Sequence, residues 1–295
     1  MAESRTEKNS DIADEILEEE RKLRNKKIFK ILMWIFIPLF IIFTVSYTCL
    51  RYIGNIGIVV REYPVYSDDI NEELNGLKIV QFFDIHYGKN SSIKDIKKLV
   101  NLINEINPDI VIFTGDLIDE EYIISNDDKE SIMSEFNRIT SNIGKFAIRG
   151  EEDFDDFKDI FDNSNFTILE NKIEKIYIGK STINLIAVDD TYSKEELTLS
   201  DANYSIGVIH KPDLADQVID DYEPNMIIAG HSHNGQVILP LIGPVIKKEG
   251  AKKYISSHYD IDGIPLYISG GLGNSYYPFR LLNHPSINLY RLRTK

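Results

Sequence analysis

Residues 31–50, ILMWIFIPLFIIFTVSYTCL, run for twenty positions without a charge. A run of that length matches a bilayer core crossed by a helix, which takes about 20 apolar residues. Few helices in a globular core stay uncharged on every face for so long. A cleaved signal peptide fits less well, because the run starts late and has no small-x-small site. Ser46-Tyr47-Thr48-Cys49 is no lipoprotein cleavage box either. Before the run, residues 21–30 hold Arg21, Lys22, Arg24, Lys26, Lys27 and Lys30 and no acid. That basic bias puts the N-terminus in the cytoplasm. The expected organisation is a cytoplasmic tail at 1–30 and a single-pass signal-anchor at 31–50, with Pro38 the place for a kink. A linker and first strand follow at 51–75, then one extracytoplasmic domain at 76–295.

Past residue 75 the apolar pattern alternates between two periods. Residues 77–83, 109–114, 145–149, 204–209 and 225–229 are short apolar runs bounded by turn signals, as buried strands are. Ile93, Ile96, Val100, Ile103 and Ile106 recur every three or four residues, which predicts a helix ended by Pro108. Further helices are expected near 129–142 and 213–222. Other strands are expected at 57–66, 166–169, 173–178, 183–188, 236–239, 266–269 and 287–293. The first strand-helix-strand unit should be parallel with a right-handed crossover. The class is α/β, in one domain.

Four of these strands end in side chains that can hold a metal. Residues 77–83 run into Asp84-Ile85-His86, and 109–114 into Gly115-Asp116. Residues 204–209 end at His210, and 225–229 at Gly230-His231-Ser232-His233. Carboxyl ends of strands converge on one rim of an open α/β sheet. Four of the six histidines stand there, which makes a metal site the economical reading. The one cysteine, Cys49, excludes an intramolecular disulfide framework and any Cys-rich zinc site. A metal must therefore use His and carboxylate ligands. Net charge is -14, and residues 1–30 hold eight acidic and eight basic residues, so 31–295 carry all of it. Such a domain argues against nucleic acid as a partner, since phosphate neutralisation needs a basic face.

The order of these motifs resembles the calcineurin-like metallophosphoesterases. Their pattern is Asp-x-His, Gly-Asp-x-x-Asp, Gly-Asn-His-Asp/Glu, a lone His, and Gly-His-x-His. Here stand Asp84-Ile85-His86, Gly115-Asp116-Leu117-Ile118-Asp119, His210 and Gly230-His231-Ser232-His233, within 56–293. The run Gly-His-Ser-His-Asn-Gly-Gln and residues 268–273 are similar to the membrane-anchored bacterial branch. Some enzymes similar to that branch cleave the pyrophosphate of UDP-linked lipid precursors. The resemblance implies a four-layer α/β/β/α sandwich behind the transmembrane helix. It implies two divalent ions, Mn, Fe or Zn, sharing a bridging hydroxide for in-line hydrolysis. Asp84, His86 and His233 would take the first ion and His210 and His231 the second. Asp116 would bridge them, and Asp119 would orient a ligand from behind.

The third motif departs from the pattern, reading Gly150-Glu151-Glu152-Asp153. Glu151 replaces a neutral amide ligand with a carboxylate, which can coordinate but adds negative charge. Glu152 stands where the family has a histidine that assists the leaving group. Ionised, Glu152 would repel a phosphate; protonated by burial, it would serve as an acid. Residues 151–153 also suit an acidic helix N-terminus. Two functions follow. One is a membrane-anchored phosphohydrolase acting on a phosphorylated small molecule or a lipid-linked substrate. The other is a weakened or inactive relative serving as a tethered binding or scaffold domain. His258 and His284 match no ligand position. Arg280, after Tyr276 and Tyr277, is a candidate phosphate clamp or a surface residue.

Overall fold

A computed structural model of the chain describes residues 5–153, 155–189, 191, 197–275 and 277–295. It divides into two units, Met1–Leu50 and Arg51–Lys295.

The first unit is helical. Helix α1 (Arg5–Arg51) is one 47-residue helix with Pro38 inside it. Residues 5–30 of the charged tail are thus helical as well, and Pro38 does not end the helix. The Thr44 and Thr48 hydroxyls donate to the carbonyls of Phe40 and Thr44, each at 2.8 Å. Such bonds hide hydroxyls from an apolar solvent. None of its apolar window is buried against protein, so by length and composition it can cross a membrane.

The second unit begins with β1 (Val59–Ser67), then β2 (Lys78–Phe82), α2 (Ile93–Ile106) and β3 (Ile110–Thr114). Next come α3 (Asn126–Asn137), β4 (Gly144–Ile148), α4 (Asp155–Asp162) and β5 (Thr167–Ile168). Strands β6 (Lys172–Ile178), β7 (Ser181–Val188) and β8 (Tyr204–Ile209) follow, then α5 (Ala215–Tyr222) and β9 (Met226–Ala229). The chain closes with β10 (Ile238–Leu239), β11 (Gly243–Pro244), β12 (His258–Ile261), β13 (Ile264–Ile268) and β14 (Ser286–Thr294).

Two six-stranded sheets result, in the orders β1-β14-β2-β3-β4-β5 and β12-β13-β9-β8-β7-β6. Strand alternation decides what each covers. In the first sheet Ile79, Ile110, Ile112 and Phe146 face Leu185, Val208, Met226 and Ile228 of the second. The opposite faces carry Val80, Phe82, Val111 and Phe113, which pack on α2, α3 and α4. Ile209, Ile227 and Leu266 pack with Val218 of α5 outside the second sheet. The layers are therefore α/β/β/α. Each fully buried Ile or Phe contributes about 1.5–3 kcal/mol. As expected of the first strand-helix-strand unit, β2 and β3 are parallel, and β4 joins β3 in parallel as well.

One buried polar link ties the two sheets together beside the rim. Gln81 Nε2 donates to Thr114 Oγ1 and to the carbonyl of Ala229, both at 2.9 Å, and Gln81 Oε1 accepts from Tyr290 Oη at 2.7 Å. It thus joins β2 to the residue just before Gly230.

Candidate metal centre

Strands β2, β3, β4, β8 and β9 all run out at this rim, and each then turns sharply. Asp84, His86, Asp116, His231 and His233 have φ of 48°, 45°, 59°, 64° and 47°. Non-glycine residues seldom adopt the left-handed region, and clusters of them mark functional sites. The turns direct the side chains back over the strand ends. Space is so tight that a Cβ on Gly150 would stand 2.2 Å from Asp116 Oδ1, and one on Gly115 2.4 Å from His210 Nδ1. Both positions accept only glycine.

The side chains meet in two groups that can each hold a metal, Asp84/His86/His233 and Asp116/Glu151/His210/His231, with His86, Asp116 and Glu152 spanning them. In the first, His233 Nε2 is 3.2 Å from Asp84 Oδ2 and 3.1 Å from His86 Nε2. In the second, His210 Nε2 lies 3.3 Å from Asp116 Oδ2 and 2.7 Å from a Glu151 oxygen. The other Glu151 oxygen is 2.7 Å from His231 Nδ1. Asp116 Oδ2 is also 4.0 Å from His86 Nε2.

The donor set fits divalent cations on an observation independent of any motif. Asp84 Oδ2, Asp116 Oδ2, His210 Nε2 and His231 Nδ1 are buried without a hydrogen bond, although neighbours lie at contact distance. Buried polar atoms are normally hydrogen-bonded. These instead aim lone pairs at shared points. The opposite atoms of the same groups are all tied. Asp116 Oδ1 accepts from the Glu152 amide at 3.0 Å, and Asp84 Oδ1 from the His231 amide at 3.4 Å. His210 Nδ1 donates to the Thr114 carbonyl at 2.7 Å and His231 Nε2 to the Glu249 carbonyl at 2.5 Å. A carbonyl only accepts, so the outer nitrogens carry protons, and the inner nitrogen of each neutral ring is the one that can ligate. His86 Nδ1 pairs with Glu152 Oε2 at 2.8 Å.

Electrostatics divides the carboxylates. Burial pushes Asp84 up to about 7. Burial also opposes ionisation of Asp116, yet the neighbouring His210 charge holds it down at about 2. Glu151, against burial, is held below the usual range by His210 and His231 beside it. Burial lowers His233 well below its ordinary value, whereas Asp116 and Glu151 outweigh burial at His210 and hold it well above.

Four residues at the site were not among the candidates. Asp153 is buried and accepts from the amides of Gly150 and Asp116 at 2.9 Å and of Leu117 at 2.8 Å. It fixes the turns that carry Asp116 and Glu151; its place at the end of the third motif was the available signal. Lys248 is 5% exposed. Burial works against its charge, but Asp84, Asp116, Glu151 and Glu152 hold it protonated. Arg149 and Lys211 line a cavity of about 290 Å³ that opens onto Glu151 and His210.

Arg280 is neither a phosphate clamp nor a surface residue. It is fully buried, donating to Asn274 Oδ1 at 3.0 Å, to the Asn283 carbonyl at 3.2 Å and to the Gly271 and Gly273 carbonyls. Loop carbonyls from residues 271–283 converge there and consume its donors. Asp119 accepts from the Glu121 amide at 3.2 Å and faces Lys89 at 3.9 Å, in a turn of its own. His258 packs at a tilt against Tyr267, 4.9 Å between ring centroids, and neither it nor His284 joins either group. Tyr277 is exposed, and Tyr276 lies outside the described residues.

Residues 77–235 match the family model described as calcineurin-like phosphoesterase. The chain is 30% identical over 261 residues to the uncharacterized metallophosphoesterase YkuE of Bacillus subtilis, covering 84% of this chain and 90% of that one. An uncharacterized metallophosphoesterase of Helicobacter pylori (strain ATCC 700392 / 26695) is 26% identical over 252 residues, 80% of this chain and 64% of its own length. The UDP-2,3-diacylglucosamine pyrophosphatase LpxG of Chlamydia trachomatis is 23% identical over 225 residues, 57% of this chain and 66% of its own. With two metal-capable groups at the strand ends of an α/β/β/α sandwich, the chain belongs to the calcineurin-like phosphoesterase family of hydrolases.

Proposed function

We propose that this protein is a membrane-anchored hydrolase that uses two divalent ions to cleave a phosphoester or pyrophosphate bond, on a lipid-linked or envelope substrate. The observation that carries this is Asp116, set between the two groups with one oxygen tied to an amide and the other turned to His86 and His210. Asp84, His86 and His233 would hold one ion, and Glu151, His210 and His231 the other, with Asp116 between them. Their nitrogen and carboxylate donors suit Mn, Fe or Zn. When bound, such ions supply Lewis-acid polarisation of phosphoryl oxygens and lower the pKa of water.

The chain's own groups do the rest. Arg149 and Lys211 bring positive charge to the cavity where an anionic substrate would enter. Lys248 offsets four carboxylates that would otherwise repel a phosphate. Glu152 positions His86 through Nδ1. The lipid assignment draws on the anchor helix and on LpxG, whose name specifies a diacyl substrate. The basic residues 21–30 orient the helix with its N-terminus in the cytoplasm.

A second reading, a catalytically weakened tethered domain, is favoured by Glu151, which adds a carboxylate to the second group. One experiment separates them: elemental analysis of the purified full chain, run beside turnover of an aryl phosphodiester with Mn²⁺. The expected result is about two metal ions per chain and turnover abolished by Asp116→Asn. Metal without turnover above that control favours the weakened domain, and no metal overturns the hydrolase.

A further inference from the structure

Three uncharged segments of the second unit are laced into one surface. Residues 52–60 read YIGNIGIVV, 236–246 read QVILPLIGPVI and 274–279 read NSYYPF, in a chain that is 27% charged. The Asn55 side chain donates to the Pro278 carbonyl at 3.4 Å and accepts from Asn274 at 3.0 Å. A Cβ on Gly54 would touch the Arg280 carbonyl, so the two segments are in close contact. On the other side Ile238 donates to the Leu281 carbonyl at 3.0 Å, and Val245 to that of Val237 at 3.0 Å.

This surface exposes large apolar side chains. Leu241 is 109% exposed, Ile242 73%, Ile56 68% and Leu282 64%, with Tyr52 and Tyr277 both at 58%. Leu241 and Leu282 are held at φ of 68° and 53°. A branched residue pays to sit in the left-handed region, and here that conformation turns leucine into solvent. Apolar patches of this kind mark interaction surfaces.

The chain itself identifies the occupant. Helix α1 ends at Arg51, and Tyr52 is the next residue. Any bilayer that holds residues 31–50 is therefore always within reach, at high effective concentration. Tyrosines beside leucine and isoleucine, with no charge among them, suit the headgroup-acyl boundary.

We propose that this surface docks into the bilayer interface and so presents the metal centre to phosphate groups borne by membrane lipids. The link to the centre is short. Gln236 donates to the Phe279 carbonyl at 2.9 Å, and Asn283 donates to the backbone carbonyl of His233 at 2.6 Å. The proposal rests on the anchoring described above, and the test separates the two.

Trp34 is the chain's single tryptophan. The full chain is reconstituted into phosphatidylcholine vesicles with brominated acyl chains, and tryptophan quenching is read. Quenched Trp34 in the unaltered protein supports the anchor. In a Trp34→Phe background, Leu241→Trp should be quenched and blue-shifted, whereas Tyr177→Trp, an exposed position elsewhere, should not. Leu241→Trp indifferent to bromine overturns docking even if Trp34 is quenched. Leu241→Trp quenched while Trp34 is not overturns the anchor and leaves docking standing. As a second readout, Leu241→Asp with Ile242→Asp should cut turnover of a vesicle-borne phosphodiester by about tenfold or more. Turnover of a water-soluble aryl phosphodiester should stay unchanged; equal loss on both overturns the proposal.

Discussion

Five residues in left-handed turns, Asp84, His86, Asp116, His231 and His233, do what no strand residue can: they turn the chain within four residues of a strand end. Each tied outer atom then sets what its inner atom offers. Glu152 Oε2 lies 2.8 Å from His86 Nδ1, the contact expected of a residue that positions that ring. Loss of such a partner typically costs about 10–100-fold in metal affinity. Glu152→Ala is thus expected to weaken Mn²⁺ binding by that range in a calorimetric titration. Glu152→Gln should lose less, because its amide oxygen still accepts from Nδ1. Indistinguishable affinities in all three proteins would remove the positioning role.

At the scale of elements, α3 is fastened to the loop after β2 by one carboxylate. Asp128 accepts from the hydroxyls of Tyr87 at 2.6 Å, Ser125 at 2.7 Å and Tyr122 at 2.9 Å. Those bonds lower its pKa to about 2. A depressed carboxylate stabilises the fold above its unfolded value, about 3.9, and that contribution fades as pH falls through the folded value. In urea titrations with chelator present, the gap between the unaltered protein and Asp128→Asn should therefore be constant above pH 5 and narrow towards pH 2. A gap that does not change with pH would show that the charge contributes nothing.

The strands that carry the site were legible because each is a plain apolar run, and 77–83 differs from β2 by one residue at each end. Strand β12 was not, because His258-Tyr259-Asp260-Ile261 is a half-exposed edge strand with no apolar run. The predicted helix at 129–142 lies instead at 126–137, since Ser125 caps it by accepting from the Asp128 amide. Among single residues, six ligand candidates stood out by position at strand ends, and Glu151 by the resemblance alone. The bonding of Arg280 and Asp153 and the burial of Lys248 did not show in the sequence. Their roles depend on carbonyls, amides and carboxylates brought in from distant loops.

Across the whole molecule, both metal-capable groups are drawn from both sheets. Asp84, His86, Asp116 and Glu151 follow strands of the first sheet, and His210, His231 and His233 follow strands of the second. Ions held there would clamp the two halves together as Gln81 does between the layers. Binding to the native state alone adds about 2.7 kcal/mol when free ligand is at 100 times its dissociation constant. Mn²⁺ should raise the unfolding free energy of the detergent-solubilised chain by roughly that amount per ion, a chelator should reverse it, and His231→Ala should lose one ion's share. An unfolding curve indifferent to Mn²⁺ would show that no ion bridges the sheets. The two seats are unequal before any ion arrives. With Asp116 shared, each has one carboxylate of its own, and Glu151 is held below the usual range while burial pushes Asp84 up to about 7. A protein built this way would load in order, the Glu151 seat first. Its half-loaded form would then be a species in its own right, set apart by ion supply.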